Sequence, residues 1–163
     1  EPQGLRCGFS AFSMKEKVFP FEGVSSLEGK SIGAIDDYFY GTEMDGYLKE
    51  HRGKPGYQVQ IMAGDDALER NVKKLASGRI DVLLENPFVL GWHMAQHGAA
   101  LGLKESDIVA LGPTDEENKQ MCFMGFSPKH PEAAKLVEVW DALVKAMRED
   151  GRLQRVMERY GIH

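Results

Sequence analysis

The sequence has no apolar run close to the roughly 20 residues that a helix needs to cross a bilayer, so no direct membrane insertion is expected. It has no surplus of basic charge. Its 20 Lys and Arg face 25 Asp and Glu, a net charge of -5, and the basic residues are scattered. Nothing there can neutralise a phosphate backbone, which excludes nucleic acid as a general partner. Cysteine is scarce. Cys7 and Cys122 do not fix a redox compartment, and two readings stay open: a pair of buried thiols, or one disulfide under oxidising conditions. Internal repeats and low-complexity tracts are absent, and Glu1-Pro2-Gln3-Gly4 carries no signal-peptide pattern.

What is present suits a globular chain. Of the 163 residues, 42% are hydrophobic and 28% charged, enough for one domain or a large part of a two-lobed one. Leu5 to Phe12 reads as a strand, and Ser13 to Ser26 as a linker-like loop. Tyr57 to Met62 alternates apolar and polar, the mark of a half-buried strand. Gly64-Asp65-Asp66 opens a helix with Asp65 as N-cap and Asp66 with Glu69 at capping-box spacing. Leu68, Val72 and Leu75 form its apolar stripe, and Gly78 ends it. Ile80 to Leu84 is a nearly continuous apolar run, expected for a strand covered on both faces. Asn86-Pro87 opens a helix to about Gly98. Strands follow at Ile108 to Leu111 and Gln120 to Ser127. A final helix places Leu136, Val137, Trp140, Leu143, Val144 and Met147 on one face, and a short last helix carries Leu153, Val156, Met157 and Tyr160. The alternation of strand and helix predicts an α/β sheet with parallel members.

The stretch Leu27 to Thr42 organises the rest. A turn at Leu27 to Gly29 leads into a strand, Lys30 to Ile35. A polar and aromatic loop, Asp36 to Tyr40, follows, and Gly41-Thr42 opens a helix through Met44, Tyr47 and Leu48. A strand that ends at a helix N-terminus leaves backbone N–H groups pointing outward, which suits a carboxylate or phosphate. Tyr38 and Tyr40 can add apolar walls and hydroxyl donors.

Four signals occur in order: Leu27-Glu28-Gly29-Lys30-Ser31-Ile32-Gly33; Gly41-Thr42 at a helix start; Leu75-Ala76-Ser77-Gly78-Arg79-Ile80-Asp81; and Asp150-Gly151-Arg152-Leu153 followed by Tyr160-Gly161-Ile162. Together they resemble the bacterial type 2 periplasmic solute-binding proteins, in particular the amino-acid-binding family of ABC transporters, over roughly Ser25 to Ile162. The resemblance implies an α/β, type 2 periplasmic-binding-protein-like fold. One near-complete lobe would be joined by crossing strands and C-terminal helices of the other. Residues 1–26 would be a crossing strand and linker from the first lobe, 27–115 the second α/β lobe, and 116–163 a return strand with helices that pack on the first lobe. Most of that first lobe is expected before Glu1. Crossing strands lie close together in such proteins, so the resemblance makes Cys7 and Cys122 candidate disulfide partners.

It also implies site residues. Gly41 and Thr42 match the pair that cradles the ligand carboxylate in the family. Asp37, Tyr38 and Tyr40 lie in the preceding loop, which is about two residues longer than the common pattern. An aspartate that pairs with the ligand ammonium commonly follows the strand after Asp81; here Asn86 stands there, with Glu85 beside it. Asn offers a hydrogen bond without charge, so a standard amino acid would lose a charge-assisted partner unless Glu85 replaces it. Asp81 is expected to serve structure. His93 and His97, four apart on a helix, have zinc-compatible spacing but no third ligand, and read as exposed helix residues. Trp92 and Trp140 read as core or lobe-interface residues, Met121 and Met124 as packing. The implied function is periplasmic or extracellular capture of a small-molecule ligand, amino-acid-like or carboxylate, for a membrane ABC transporter permease. The alternative is a ligand-binding sensor domain coupled to a receptor signalling domain or histidine kinase. An enzyme of the same fold is disfavoured, because no nucleophile–base pair or metal site is visible, and no cofactor is expected.

Overall fold

The computed structural model describes residues 2–56, 58–114 and 121–159. The start of the Tyr57 strand, the Gln120 start of the return strand, and the Tyr160-Gly161-Ile162 signal lie outside the described residues. Among the described residues no helix is long and apolar enough to cross a membrane. The chain forms two compact units: Gly8–Asn118, and Glu1–Cys7 with Lys119–His163.

The first strand of the chain, β1 (Leu5–Arg6), belongs to the smaller unit. The larger unit is a five-stranded α/β sheet. In chain order its elements are β2 (Ser10–Met14), β3 (Ser31–Ile35), α1 (Thr42–His51), β4 (Gln58–Met62), α2 (Ala67–Ala76), β5 (Val82–Glu85), α3 (Pro87–His97) and β6 (Ile108–Pro113). Strand order is β4-β3-β5-β2-β6. β3 runs parallel to β4 and β5, while β2 runs antiparallel to β5 and β6, so β2 alone is reversed. The expected single strand Leu5 to Phe12 is thus two strands. Its second half, read as a first-lobe crossing strand, is inserted in this sheet between β5 and β6.

Burial follows strand periodicity. Val82 and Leu84 enter one apolar cluster with Ile32, Ala34, Met44 and Leu48; Leu83 enters the other with Phe12, Val72, Leu75, Leu90 and Met94. α1 therefore covers one face of β5, and α2 and α3 the other, which is why β5 is apolar throughout. β4 is an edge strand, and its residues stay partly exposed. Asp81 is structural, as expected: its Oδ2 accepts hydrogen bonds from the Ser31 N–H at 2.9 Å and the Ser31 hydroxyl at 2.6 Å. Gly33 sits in close packing: a Cβ there would lie 2.5 Å from Ile80 Cδ1, so that side chain would have to shift. At α2 the N-cap is Asp66 rather than Asp65. It makes no side-chain cap bond. Its carboxylate pairs with Arg70 at 2.9 Å instead.

In the smaller unit β1 pairs antiparallel with β7 (Met121–Cys122), and Cys7 and Cys122 form a disulfide, Cα atoms 5.8 Å apart. This decides between the two readings of the cysteines. Two helices follow, α4 (Ala133–Glu149) and α5 (Arg152–Arg159). The Asp141 carboxylate accepts the Gln3 N–H at 2.9 Å, and the Arg148 guanidinium donates to the Gly4 carbonyl at 2.9 Å, which ties the chain start to α4. The apolar stripe expected on α4 is mostly not buried: Val144 is, while Val137 and Leu143 are exposed, as are Val139, Val156, Phe123 and Met124. Met121 and Met124, read as packing residues, are among these exposed side chains.

Candidate functional site

The carboxyl ends of β3, β4 and β5 meet at one edge of the sheet, where open α/β sheets place their ligand crevices. β3 ends at Ile35, and the Asp36 N–H donates to the Met62 carbonyl at 2.8 Å, which ties the following loop to the end of β4. Asp36 to Phe39 are exposed. Asp37 adopts a left-handed φ of 63°, a conformation that Asp tolerates better than most residues. Tyr38 is 41% exposed. Burial of its ring and the negative charge of Glu85 push its phenol upward.

Tyr40 turns inward. It is 1% exposed. Its hydroxyl accepts the Ile35 N–H at 2.7 Å, its own N–H donates to Asp45 Oδ1 at 3.0 Å, and its carbonyl accepts the Thr114 hydroxyl at 2.6 Å. Tyr40, expected as a cleft wall, is therefore a core strut that sets the bend from β3 into α1. Phe9, Tyr38 and Tyr40 form a ring cluster with centroids 4.9 to 6.1 Å apart. Tyr38 is its exposed member.

Gly41 is the N-cap of α1 at φ 107°, which favours glycine. No side chain caps this helix, and Thr42 is exposed at its first position. The positive end of the helix is thus open, although Glu43 and Asp45 already place negative charge in its first turn.

Glu85 closes β5 and is 0% exposed. Its Oε1 accepts the Asn86 N–H at 2.7 Å, while Oε2 is buried without a hydrogen-bond partner. Burial pushes its carboxyl up to about 7, against the smaller opposing effect of the Asn86 N–H. Asn86, read as the residue facing the ligand, is occupied by the fold. Its Oδ1 accepts the N–H groups of Phe88 and Val89 at 2.9 and 3.2 Å, and its Nδ2 donates to the Gly8 carbonyl at 3.0 Å. It caps α3 and fastens β5 to the start of β2. The Asn-Pro pair signalled that cap in the sequence.

The structure thus gathers Tyr38 and Tyr40 against Phe9, with Glu85 near enough to act electrostatically on both tyrosines, keeps Gly41 and Thr42 at the open helix end, and assigns Asn86 to the frame. The loop carrying Asp37 and Tyr38 separates two depressions. One, of about 300 Å³, is lined by Tyr38, Tyr40, Asp45, Lys49 and Arg52 among others. The other, of about 690 Å³, is lined on its far side by the β4–α2 turn and α3. Trp92, read as a core or interface residue, is 46% exposed on that wall. His93, read as exposed, is 7% exposed, and burial pushes its imidazole downward. Only His97 of that pair is exposed; its ring lies 4.9 Å from that of His93. Among the described residues no group of three His, Cys, Asp or Glu side chains is placed to hold a metal ion. Thr114 and Phe9 support the site without a sequence signal, because no local pattern distinguishes them from other strand residues.

No protein-family model matches the chain, and no curated protein matches it in sequence. Solved structures match its fold. The periplasmic binding protein XoxJ from Methylobacterium extorquens AM1 aligns with a TM-score of 0.66 at 16% identity, over 99% of this chain and 70% of that one. The amino acid ABC transporter substrate-binding protein AbpA from Streptococcus pneumoniae Canada MDR_19A, solved with L-arginine bound, aligns at 0.63 and 14%, over 98% and 59%. Substrate binding domain 2 of GlnP from Lactococcus lactis, in an open conformation, aligns at 0.59 and 18%, over 98% and 60%. The chain spans about three fifths of the length of the last two. At these identities the likeness is one of fold, and the chain has the mixed α/β fold of the type 2 periplasmic binding proteins.

Proposed function

We propose that the chain is the larger part of a periplasmic or extracellular solute-binding protein. It captures a small polar ligand, amino-acid-like or carboxylate, and presents it to a membrane ABC transporter. The observation that carries this reading is the uncapped N-terminus of α1 at Gly41-Thr42, which follows the exposed Tyr38 in the loop at the carboxyl edge of the sheet. Free N–H groups, a hydroxyl and the positive helix end together suit a ligand carboxylate. Tyr38 serves as an apolar wall and Asp37 as a rim carboxylate. Glu85 is the buried acid behind that wall, while Tyr40 and Asn86 hold the frame. The role is binding, with closure on the ligand by population shift and no bond made or broken. In this reading a further lobe covers the exposed apolar residues Val137, Val139, Leu143 and Val156.

The test is calorimetry on the protein expressed from its complete gene, with a panel of amino acids and small carboxylates. Thr42→Ala should weaken the best ligand about tenfold, the loss of one hydrogen bond to a charged group. Gly41 is a poor probe, because its positive φ makes any substitution a test of the backbone. Affinity unchanged in Thr42→Ala would move the carboxylate seat elsewhere.

A further inference from the structure

Glu85 is a buried acid with no counter-ion. It closes β5, is 0% exposed, and makes no ion pair among the described residues. Its Oε1 accepts the Asn86 N–H, and its Oε2 is buried without a partner. A carboxylate placed this way gives up its water, and one hydrogen bond does not offset the lost hydration of a full charge. The neutral acid is the form that fits, and the ionised form is the costly one.

Its position ties it to the loop that leads into the proposed carboxylate seat. On one side Ser10 of β2 stands directly opposite, and the preceding Phe9 packs its ring on Tyr38 and Tyr40 at centroid distances of 5.5 and 4.9 Å. On the other side β3 runs parallel with Gly33 level with Leu83, a register that continues to Ile35 level with Glu85. The Ile35 N–H holds the Tyr40 hydroxyl at 2.7 Å, and Tyr40 is followed at once by Gly41-Thr42. The negative charge of Glu85 pushes both phenols upward, so its field reaches this loop through a cluster of packed rings, where screening is far weaker than in water. The neighbouring elements supply no positive partner. Asp45 of α1 accepts the Tyr40 N–H, and Lys49 and Arg52 line the depression beside the two tyrosines without pairing to Glu85. α2 and α3, on the other face of β5, bring Glu69 and His93, and burial holds the His93 imidazole below its ordinary value.

We propose that Glu85 is a protonation gate on the carboxylate seat at Gly41-Thr42. As the neutral acid it admits a ligand carboxylate; ionised, it repels the same group across the ring cluster. The gate rests on the solute-binding reading and adds its regulation: an anionic ligand is held on the acid side and released on the alkaline side. The coupling is reciprocal. An anion in the seat tightens the hold of Glu85 on its proton, and the proton tightens the hold on the anion by the same factor. The transition lies near the Glu85 carboxyl's own value of about 7.

The test is calorimetry on the protein from its complete gene, between about pH 6 and about pH 8.5, where the probe carboxylates stay ionised. The probes are lactate and pyruvate, with glutamate and glutamine in parallel. For each probe that binds, the dissociation constant should rise about five- to tenfold across that range. Near neutral pH, binding should take up part of a proton, read from the dependence of the heat on the ionisation enthalpy of the buffer. Glu85→Gln should flatten the profile and abolish the uptake, while His97→Gln, which removes an exposed histidine, should leave both unchanged. A purely structural role for Glu85 would move stability and leave the pH profile of binding in place. Should Glu85→Gln not fold, the infrared band of a protonated carboxyl decides: it should grow when a probe binds to the parent near neutral pH, and its absence would overturn the gate. Affinity that is constant with pH, that strengthens as pH rises, or whose profile survives in Glu85→Gln or vanishes in His97→Gln would also overturn it and leave the solute-binding reading standing. If no probe binds at any pH, both fall.

Discussion

Glu85→Gln should change how stability depends on pH. In the folded chain Glu85 is fully buried, and its carboxyl is pushed from an ordinary value of 4.5 up to about 7, mainly by loss of water around the charged form. The folded state then holds this proton more tightly than the unfolded state does. The stabilisation is fully present below pH 4.5, is lost progressively as pH rises to about 7, and stays lost above that. At about 1.4 kcal/mol for each pH unit between the two values, the full effect is about 3 kcal/mol, of which about 2 to 3 kcal/mol falls between pH 5 and 8. Glutamine keeps an oxygen for the Asn86 N–H and cannot ionise. Its amide group at the Oε2 position adds a cost that does not depend on pH. Urea unfolding of both proteins across that range, with the disulfide intact, gives the difference directly, because all other titrating groups cancel. The stability of Glu85→Gln relative to the parent should rise by about 2 to 3 kcal/mol from pH 5 to pH 8. Parallel curves, within about 0.5 kcal/mol, would show that water or an unrecognised partner reaches Oε2, and would refute the buried, unpaired carboxylate.

Thiol titration of the unfolded, unreduced protein should find no free cysteine, and Cys7→Ser with Cys122→Ser should cost roughly 4 kcal/mol in reversible unfolding, because the bridge closes a loop across 115 positions. Asn86→Ala should cost about 2 kcal/mol in urea unfolding, since two α3 N–H groups and the Gly8 carbonyl lose their partner together; a loss below about 0.5 kcal/mol would mean that water replaces all three. Gly33→Ala should lower stability by about 1–3 kcal/mol, because the added methyl meets Ile80 Cδ1 at 2.5 Å and Asn71 Oδ1 at 3.1 Å. A melting temperature equal to the parent's would show that the Ile80 side chain moves aside freely.

Local chemistry set the elements that the sequence made legible. The apolar run Ile80 to Leu84 reads as a doubly covered strand because Val82 and Leu84 enter one core and Ile80 and Leu83 the other. Asn86-Pro87 starts α3 because an Asx cap and a fixed proline φ act over three residues. Gly41-Thr42 starts α1 for a different local reason, a glycine that accepts the positive φ at the N-cap. The short range of these effects also explains the errors. Asp66 rather than Asp65 sits at the α2 N-cap, and its carboxylate pairs with Arg70 one turn later instead of capping the helix. Helical spacing placed His93 and His97 on one face but could not say that His93 is buried while Trp92 is left exposed.

The sequence by itself determined that the chain is an α/β protein with an open helix start after β3, since periodicity, caps and turns act within a few residues. Only the tertiary structure decided the rest. It inserted β2 between β5 and β6 in reverse, joined cysteines 115 positions apart, and turned Asn86 from a candidate ligand contact into a cap that also holds Gly8. It buried Glu85, and it brought Asp36, Asp65 and His93 into one groove. These depend on contacts between residues far apart along the chain, whose formation is governed by the summed packing of the whole sheet and by no local pattern.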